Sequence, residues 1–191
     1  MNRFLIIFIL LNICSLSALS FNATGLKIGY NSSRFTGNDI YGKGVSNIPG
    51  FIIGGFITYD INQHFAFDSE LLLTTKGSYV NTIGDIDQHN VIVYLELPFA
   101  CKYKFFNSTA ITPTISCGSS FAINTLALND TGILDNIGFY DICLLAATGF
   151  EFRYLSMELR FQQGIICIDG NSINNQTLSL QIGIKLLKEN L

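Results

Sequence analysis

The chain has 191 residues, enough for one ordinary domain. Apolar residues make up 49% of the chain and charged residues only 13%, so a disordered chain is excluded. The net charge is -3 and no basic run occurs, which also excludes a typical nucleic-acid binder.

The first residues have the pattern of an export signal. Arg3 provides a positive start, residues 4–11 form an unbroken apolar run, and Ala18-Leu19-Ser20 fits the small-x-small rule of a cleavage site. The run is too short for a membrane-spanning helix, which needs about 20 residues. We therefore expect residues 1–20 to be a cleaved signal peptide and residues 21–191 to form the mature domain. The alternatives are an uncleaved N-terminal anchor and a lipoprotein cut before Cys14, against which the bulky Ile13 argues.

The mature chain alternates between apolar and polar side chains with a period of two. In residues 91–105 every odd position is apolar, whereas the even positions include Glu96, Lys102 and Lys104. Successive side chains of a strand point to opposite faces, so this pattern predicts a strand. The same pattern predicts seven further strands, in residues 26–31, 51–60, 65–76, 111–121, 141–150, 155–162 and 177–186.

Short and long connections alternate between these segments. Residues 61–63, 106–109 and 153–154 are short links, and the longer ones are residues 35–49, 79–90, 125–137 and 168–175. Outer-membrane barrels have short periplasmic turns and longer outer loops. No mature segment offers the 18 or so apolar residues of a transmembrane helix. The pattern predicts an all-β fold, an eight-stranded antiparallel up-and-down transmembrane β-barrel in a bacterial outer membrane.

In such a barrel the apolar face meets lipid. Three features favour this orientation: the low content of charge, the long strands, and aromatic residues beside the short links. These aromatic residues predict one interfacial girdle, formed by Tyr59, Phe65, Tyr103, Phe105, Phe150 and Phe152. The alternative is a soluble periplasmic calyx, similar to a lipocalin, with an apolar cavity that binds hydrophobic ligands.

The opposite face would then line the lumen. Eight strands enclose a space that side chains just fill, which argues against an open pore. The charged residues predicted to point inward are Lys27, Asp68, Glu70, Lys76, Glu96, Lys102, Asp141, Glu158, Arg160 and Lys185. Because buried charges are costly unless paired, this balance of five cations and five anions predicts a structural polar network. A path for protons or solutes through these groups is the alternative.

Four segments resemble the PorT-like outer-membrane β-barrel family. They are Gly25-Leu26-Lys27-Ile28-Gly29, residues 67–77, residues 94–103 with their Leu-Glu-Leu-Pro-Phe core, and Gly149-Phe150-Glu151-Phe152. The resemblance implies an eight-stranded barrel in the outer membrane of a Bacteroidetes-type bacterium. It also implies a link to protein secretion through the member that gives the family its name. Most members have no assigned activity, so the resemblance assigns no functional residue.

Chemistry-bearing residues are few. Some barrels of this size modify lipids, and Ser78, His89 and Asp85 or Asp87 would be the candidates for such an enzyme. Asp85, Asp87 and His89 lack the full spacing of a calcium loop, and His64 lies in a short link. We expect no catalytic, metal or cofactor site. The expected function is a non-enzymatic barrel in contact with outer-membrane lipid, acting structurally or through envelope or secretion proteins.

Four cysteines remain after the predicted cleavage: Cys101, Cys117, Cys143 and Cys167. An even number in an exported chain is consistent with disulfides. Cys101 and Cys117 share the apolar face and lie near each other across a predicted hairpin, whereas Cys143 has the opposite parity. We expect free thiols that act as small apolar residues.

Overall fold

A computed structural model describes residues 23–37, 44–81, 88–105, 111–129, 132–133, 138–166 and 173–188. The predicted signal peptide, residues 1–20, lies outside the described residues. The strands are β1 (Ala23–Thr36), β2 (Gly44–Asp60), β3 (Phe65–Asn81), β4 (Gln88–Lys104), β5 (Thr112–Asn129), β6 (Gly132–Ile133), β7 (Tyr140–Glu151), β8 (Leu155–Gly164) and β9 (Asn174–Lys188). No helix in the described part of the chain is long and apolar enough to cross a bilayer.

Eight long strands close into one antiparallel barrel. The order around the sheet is β4, β3, β2, β1, β9, β8, β7 and β5, and β5 pairs with β4 to close the circle. The two-residue strand β6 only extends the edge of β5, where Leu128 pairs with Ile133. The predicted eight-stranded up-and-down barrel is confirmed.

Several strands are longer than the sequence predicted. β2 begins at Gly44, β4 at Gln88, and β5 continues to Asn129, so the ladders run into stretches predicted as loops. The extensions of β2 and β4 carry little alternation, because a strand that continues beyond the bilayer needs no apolar outer face. Their polar side chains bond across strands instead, as when the Asn47 amide donates to the Ser32 hydroxyl at 3.0 Å.

The apolar face of each strand points outward, as predicted. Leu26, Ile53 and Leu144 are each more than half exposed on the outer wall. In β2 the contrast between faces is blurred because Ile52 and Phe56 point inward, where both are buried.

Inside the barrel, the Phe56 ring packs against two backbone positions that have no side chain. A Cβ atom at Gly25 would lie 2.7 Å from the ring, and one at Gly183 would lie 3.1 Å from it. The Lys27 ammonium lies 5.6 Å from the ring centre on the lumen side. Phe56 therefore fills one part of the lumen with apolar material.

One end of the barrel carries the short turns. In the β2–β3 turn, the Asn62 side-chain oxygen accepts hydrogen bonds from the amides of His64 and Phe65, both at 2.8 Å. The Tyr103 ring lies 5.2 Å from Phe65 and 5.3 Å from Phe105, centre to centre. The predicted girdle residues thus gather at this end, which we call the periplasmic end because short turns face the periplasm in this architecture. The opposite end is the outer end.

Candidate functional site: the polar lumen

Strand alternation brings the predicted inward charges together inside the barrel. The structure places all ten of them with buried side chains, and they lie on β1, β3, β4, β7, β8 and β9. They form three clusters along the lumen. We name them the central, periplasmic and outer clusters.

The central cluster consists of Lys27, Glu70, Glu158 and Arg160. The Arg160 guanidinium donates two hydrogen bonds to the Glu70 carboxylate, at 2.9 Å from Nη1 to Oε2 and 2.7 Å from Nη2 to Oε1. Its Nε donates to Glu158 at 2.6 Å. Lys27 Nζ lies 2.5 Å from Glu70 Oε1 and 3.7 Å from Glu158 Oε2. Two cations and two anions therefore neutralise each other in a fully buried space.

The periplasmic cluster consists of Asp68, Lys102, Glu151 and Lys185. Lys102 Nζ lies 2.5 Å from Asp68 Oδ2 and 2.8 Å from Glu151 Oε1, and Lys185 Nζ lies 2.7 Å from Glu151 Oε2. The Thr58 hydroxyl donates to Asp68 at 2.7 Å. This cluster is also neutral, and Glu151 bridges its two lysines.

Glu151 was missing from the predicted inward set. The odd positions of residues 141–149 were already assigned to the inward face, and one further step of the same parity reaches Glu151. The predicted segment ended at residue 150, so Glu151 was left out although its odd position indicates the inward face. The structure extends β7 to Glu151, where the carboxylate is buried.

The outer cluster consists of Lys76, Tyr94, Glu96, Asp141 and Asn175. Lys76 Nζ lies 3.1 Å from Glu96 Oε2, and Ser120 and Gln162 both donate to Glu96 Oε1. The Asn175 amide donates to Asp141 Oδ2 at 2.8 Å and to the Tyr94 hydroxyl at 3.1 Å. Here two carboxylates accompany one ammonium.

Uncharged polar residues complete the lumen, and the prediction did not name them as site residues. They share inward parity with the charges and are almost fully buried: Asn31, Thr58, Thr74, Ser120, Gln162, Asn175, Thr177, Ser179 and Gln181. The only sequence signal for these residues is that they occupy the same alternate strand positions as the inward-facing charges.

Of the residues considered for a lipid-modifying enzyme, the structure describes the side chain of Ser78 only. The buried Ser78 hydroxyl lies 3.2 Å from the Ser46 carbonyl oxygen and 3.3 Å from that of Tyr79. Asp85, Asp87 and the side chain of His89 lie outside what the structure describes. The His64 ring stacks on Tyr103 at 5.9 Å, and its Nδ1 lies 3.0 Å from the Lys104 carbonyl oxygen. No group of three or more His, Cys, Asp or Glu residues that could hold a metal occurs among the described residues.

An apolar wall outside and paired charges inside define the class of protein. A soluble calyx requires the reverse arrangement, so that alternative is wrong. A closed sheet satisfies its backbone groups without water, which is the requirement for crossing a hydrocarbon layer with strands. The fold and the lumen together are those of a small outer-membrane barrel.

Comparison with known proteins agrees with this class. Residues 18–170 match the outer membrane protein beta-barrel domain, and the chain belongs to that family. The structure of Neisserial surface protein A is similar, with a TM-score of 0.54, 13% identity, and coverage of 85% of this chain and 97% of that one.

Two further solved barrels share less of the geometry. Ail of Yersinia pestis has a TM-score of 0.49 and 12% identity, covering 87% of this chain and 100% of that one. OprG of Pseudomonas aeruginosa has a TM-score of 0.48 and 9% identity, covering 87% of this chain and 95% of that one. No curated protein matches the chain. The family and the fold place the protein in the bacterial outer membrane.

Proposed function

We propose that the protein is a non-enzymatic outer-membrane barrel with a closed polar lumen, which acts structurally or through partner proteins. The observation that carries this proposal is the bidentate pair between Arg160 and Glu70. These residues lie on β8 and β3, which are four strands apart in either direction around the barrel.

A second contact crosses the lumen nearer the outer end. Tyr94 on β4 and Asn175 on β9 are also four strands apart, and their side chains meet at 3.1 Å. A solute passing through would have to separate both contacts. Breaking a buried ion pair leaves uncompensated charges and costs about 3–5 kcal/mol. The lumen therefore favours a plug over a diffusion path.

We further propose that the chain is a PorT-like barrel of a Bacteroidetes-type outer membrane, with an envelope or secretion protein as its partner. The support comes from the four segments that resemble that family. They supply Lys27, Glu70, Glu96, Lys102 and Glu151, all members of the three lumen clusters. The resemblance thus falls on residues that hold the barrel interior together.

Single-channel recording in planar lipid bilayers tests the closed lumen. The wild-type barrel is expected to give no conductance steps. The double variant Tyr94→Ala/Arg160→Ala removes both crossing contacts and is expected to give steps, counted only for protein that shows the heat-dependent gel shift of a folded barrel. Regular steps from the wild type would contradict the proposal.

Crosslinking tests the proposed partner. A photo-reactive residue placed in one of the loops at the outer end, and a second placed in the β7–β8 turn, are compared in living cells. A defined adduct from one end but not the other supports a partner and locates it. If both positions crosslink only to lipid, the result would support a purely structural role and would contradict the proposed secretion partner.

A further inference from the structure

Two cysteines face each other on the outer wall. Cys101 on β4 pairs directly with Cys117 on β5, and both side chains are exposed. Cys143 differs, because it is buried in the lumen beside Asp141. Directly opposed residues of neighbouring strands point to the same face, so the two exposed thiols are nearest neighbours across the hairpin.

The hydrogen-bond pattern of the hairpin fixes the type of pair. The Phe105 amide donates to the Pro113 carbonyl oxygen at 3.1 Å, so these opposed residues form a hydrogen-bonded pair. Hydrogen-bonded and non-hydrogen-bonded pairs alternate along an antiparallel ladder, and no register shift lies between this pair and Cys101–Cys117. The cysteines therefore also occupy a hydrogen-bonded pair, with Cα atoms about 5.5 Å apart. Disulfides most often join Cα atoms about 5.5–6 Å apart.

The same geometry makes the bond easy to reverse. Opposed Cβ atoms at such positions are about 5.5 Å apart, whereas a relaxed disulfide needs about 3.8 Å. Closing the bond must draw the strands together locally, and a strained disulfide is more readily reduced. The pair is suited to a responsive bond more than to a permanent one.

The pair lies on the apolar wall, close to the periplasmic end of the barrel. Cys101 lies two residues along β4 from Tyr103 of the periplasmic girdle, a distance of about 7 Å at the usual rise of a strand. The directly paired residues on the neighbouring strands are Phe67 beside Cys101 and Ala146 beside Cys117. The thiols therefore lie in apolar surroundings just inside the membrane interface.

We propose that Cys101 and Cys117 are a redox-responsive site that forms a reversible disulfide across the β4–β5 hairpin. The oxidant is a dithiol oxidase that carries its own disulfide. One cysteine thiolate attacks that disulfide, forming a mixed disulfide and releasing one oxidase thiolate. The second cysteine thiolate attacks the sulfur of the first and releases the other oxidase thiolate. The two protons lost by the cysteines end on the two oxidase sulfurs, so two electrons pass to the oxidase.

The test uses the full chain folded in detergent micelles and treated with diamide, a diazene that accepts two electrons and two protons. Trypsin cleaves after Lys102 and Lys104 and separates the two cysteines into peptides 77–102 and 105–153. Because the second peptide also contains Cys143, a Cys143→Ser variant is examined in parallel. The expected result in both proteins is a linked pair of these peptides, 2 Da lighter than their sum (about two hydrogens), which dithiothreitol separates.

The matched controls are Cys101→Ser and Cys117→Ser, neither of which should give the linked pair. The oxidised wild type should also keep its folded gel mobility to a higher temperature than the reduced protein, because the crosslink restricts the unfolded chain. Two outcomes would overturn the proposal. One is that both thiols stay free in the folded barrel under diamide that oxidises the unfolded chain. The other is that oxidation yields disulfide-linked dimers in place of the intramolecular bond.

Discussion

Arg160 and Glu70 are joined by two parallel hydrogen bonds across the full width of the barrel. The distances are 2.9 and 2.7 Å, and the two residues are separated by 90 positions in the chain. Lys27 adds a second cation to the same carboxylate at 2.5 Å. Glu70 is therefore the anion on which the central cluster depends, and it connects opposite walls of the sheet.

Replacing Glu70 with Gln should destabilise the barrel strongly. The substitution leaves Lys27 and Arg160 buried with only Glu158 as a carboxylate partner in the central cluster. Breaking a buried ion pair by removing one partner costs about 3–5 kcal/mol. Urea unfolding in lipid vesicles, followed by the gel shift of the folded barrel, measures the change in the free energy of unfolding.

Asp60→Asn is the matched control for this variant. Asp60 also pairs with a lysine, Lys104, at 2.5 Å, but its side chain is 32% exposed at the periplasmic end of the barrel. Ion pairs of this kind contribute about 0–1 kcal/mol. Equal losses in the two variants would show that the central cluster does not hold the opposite walls together.

Replacing Asp141 with Asn should leave the barrel equally stable or make it more stable. The outer cluster holds two carboxylates and one ammonium, and Lys76 lies close to the other carboxylate, Glu96. Asp141 Oδ1 and Asn175 Oδ1 both lack a hydrogen-bond partner in the described part of the chain. An amide at position 141 removes the unbalanced charge and supplies donors. We expect a gain of up to about 1 kcal/mol in the same unfolding measurement.

Asp68→Asn provides the contrast. Its carboxylate accepts from the Thr58 hydroxyl at 2.7 Å and lies 2.5 Å from Lys102 Nζ, so the negative charge is compensated. The variant removes one partner of a buried ion pair, which should cost about 3–5 kcal/mol. A larger loss for Asp141→Asn than for Asp68→Asn would mean that the Asp141 charge is needed in the outer cluster.

The sequence predicted which way side chains point, because lipid and lumen impose opposite polarities on alternate residues. That contrast is strong in the bilayer, so Glu96, Lys102 and Arg160 were assigned to the inward face. The contrast fades at the outer ends of β2 and β4, so their predicted starts, residues 51 and 91, lie later than the observed starts at Gly44 and Gln88. The predicted end of β5, residue 121, lies before the observed end at Asn129.

The partners of the inward residues were not predictable in the same way. Contacts across a lumen depend on how the strands stagger when the sheet closes. Alternation carries no information about that stagger, so it does not reveal that Arg160 meets Glu70 or that Tyr94 meets Asn175. It also left the second strand ambiguous, because Ile52 and Phe56 are apolar residues that the lumen accommodates.

Because the outer wall faces lipid, the free-energy cost of placing a charged residue on it should depend on the depth of that residue in the bilayer. On β9, Ile182 is the middle residue of five outward-facing apolar residues that run from Leu178 to Leu186. An arginine at position 182 would place its charge near the centre of the bilayer, where the cost in barrels is about 2–4 kcal/mol. At Leu186, two residues from the periplasmic end of the strand, the same arginine reaches the interface and should cost at most about 1 kcal/mol.

Comparing the stabilities of Ile182→Arg and Leu186→Arg in vesicles tests whether the outer face of β9 contacts lipid or water. In both variants the new side chain projects outward from the wall and does not enter the lumen, so the ion-pair clusters stay intact. The free energies of unfolding should differ by about 2 kcal/mol in vesicles. The difference should shrink in a detergent that lets water approach the middle of the wall. Equal costs at the two positions in vesicles would contradict a lipid-facing β9.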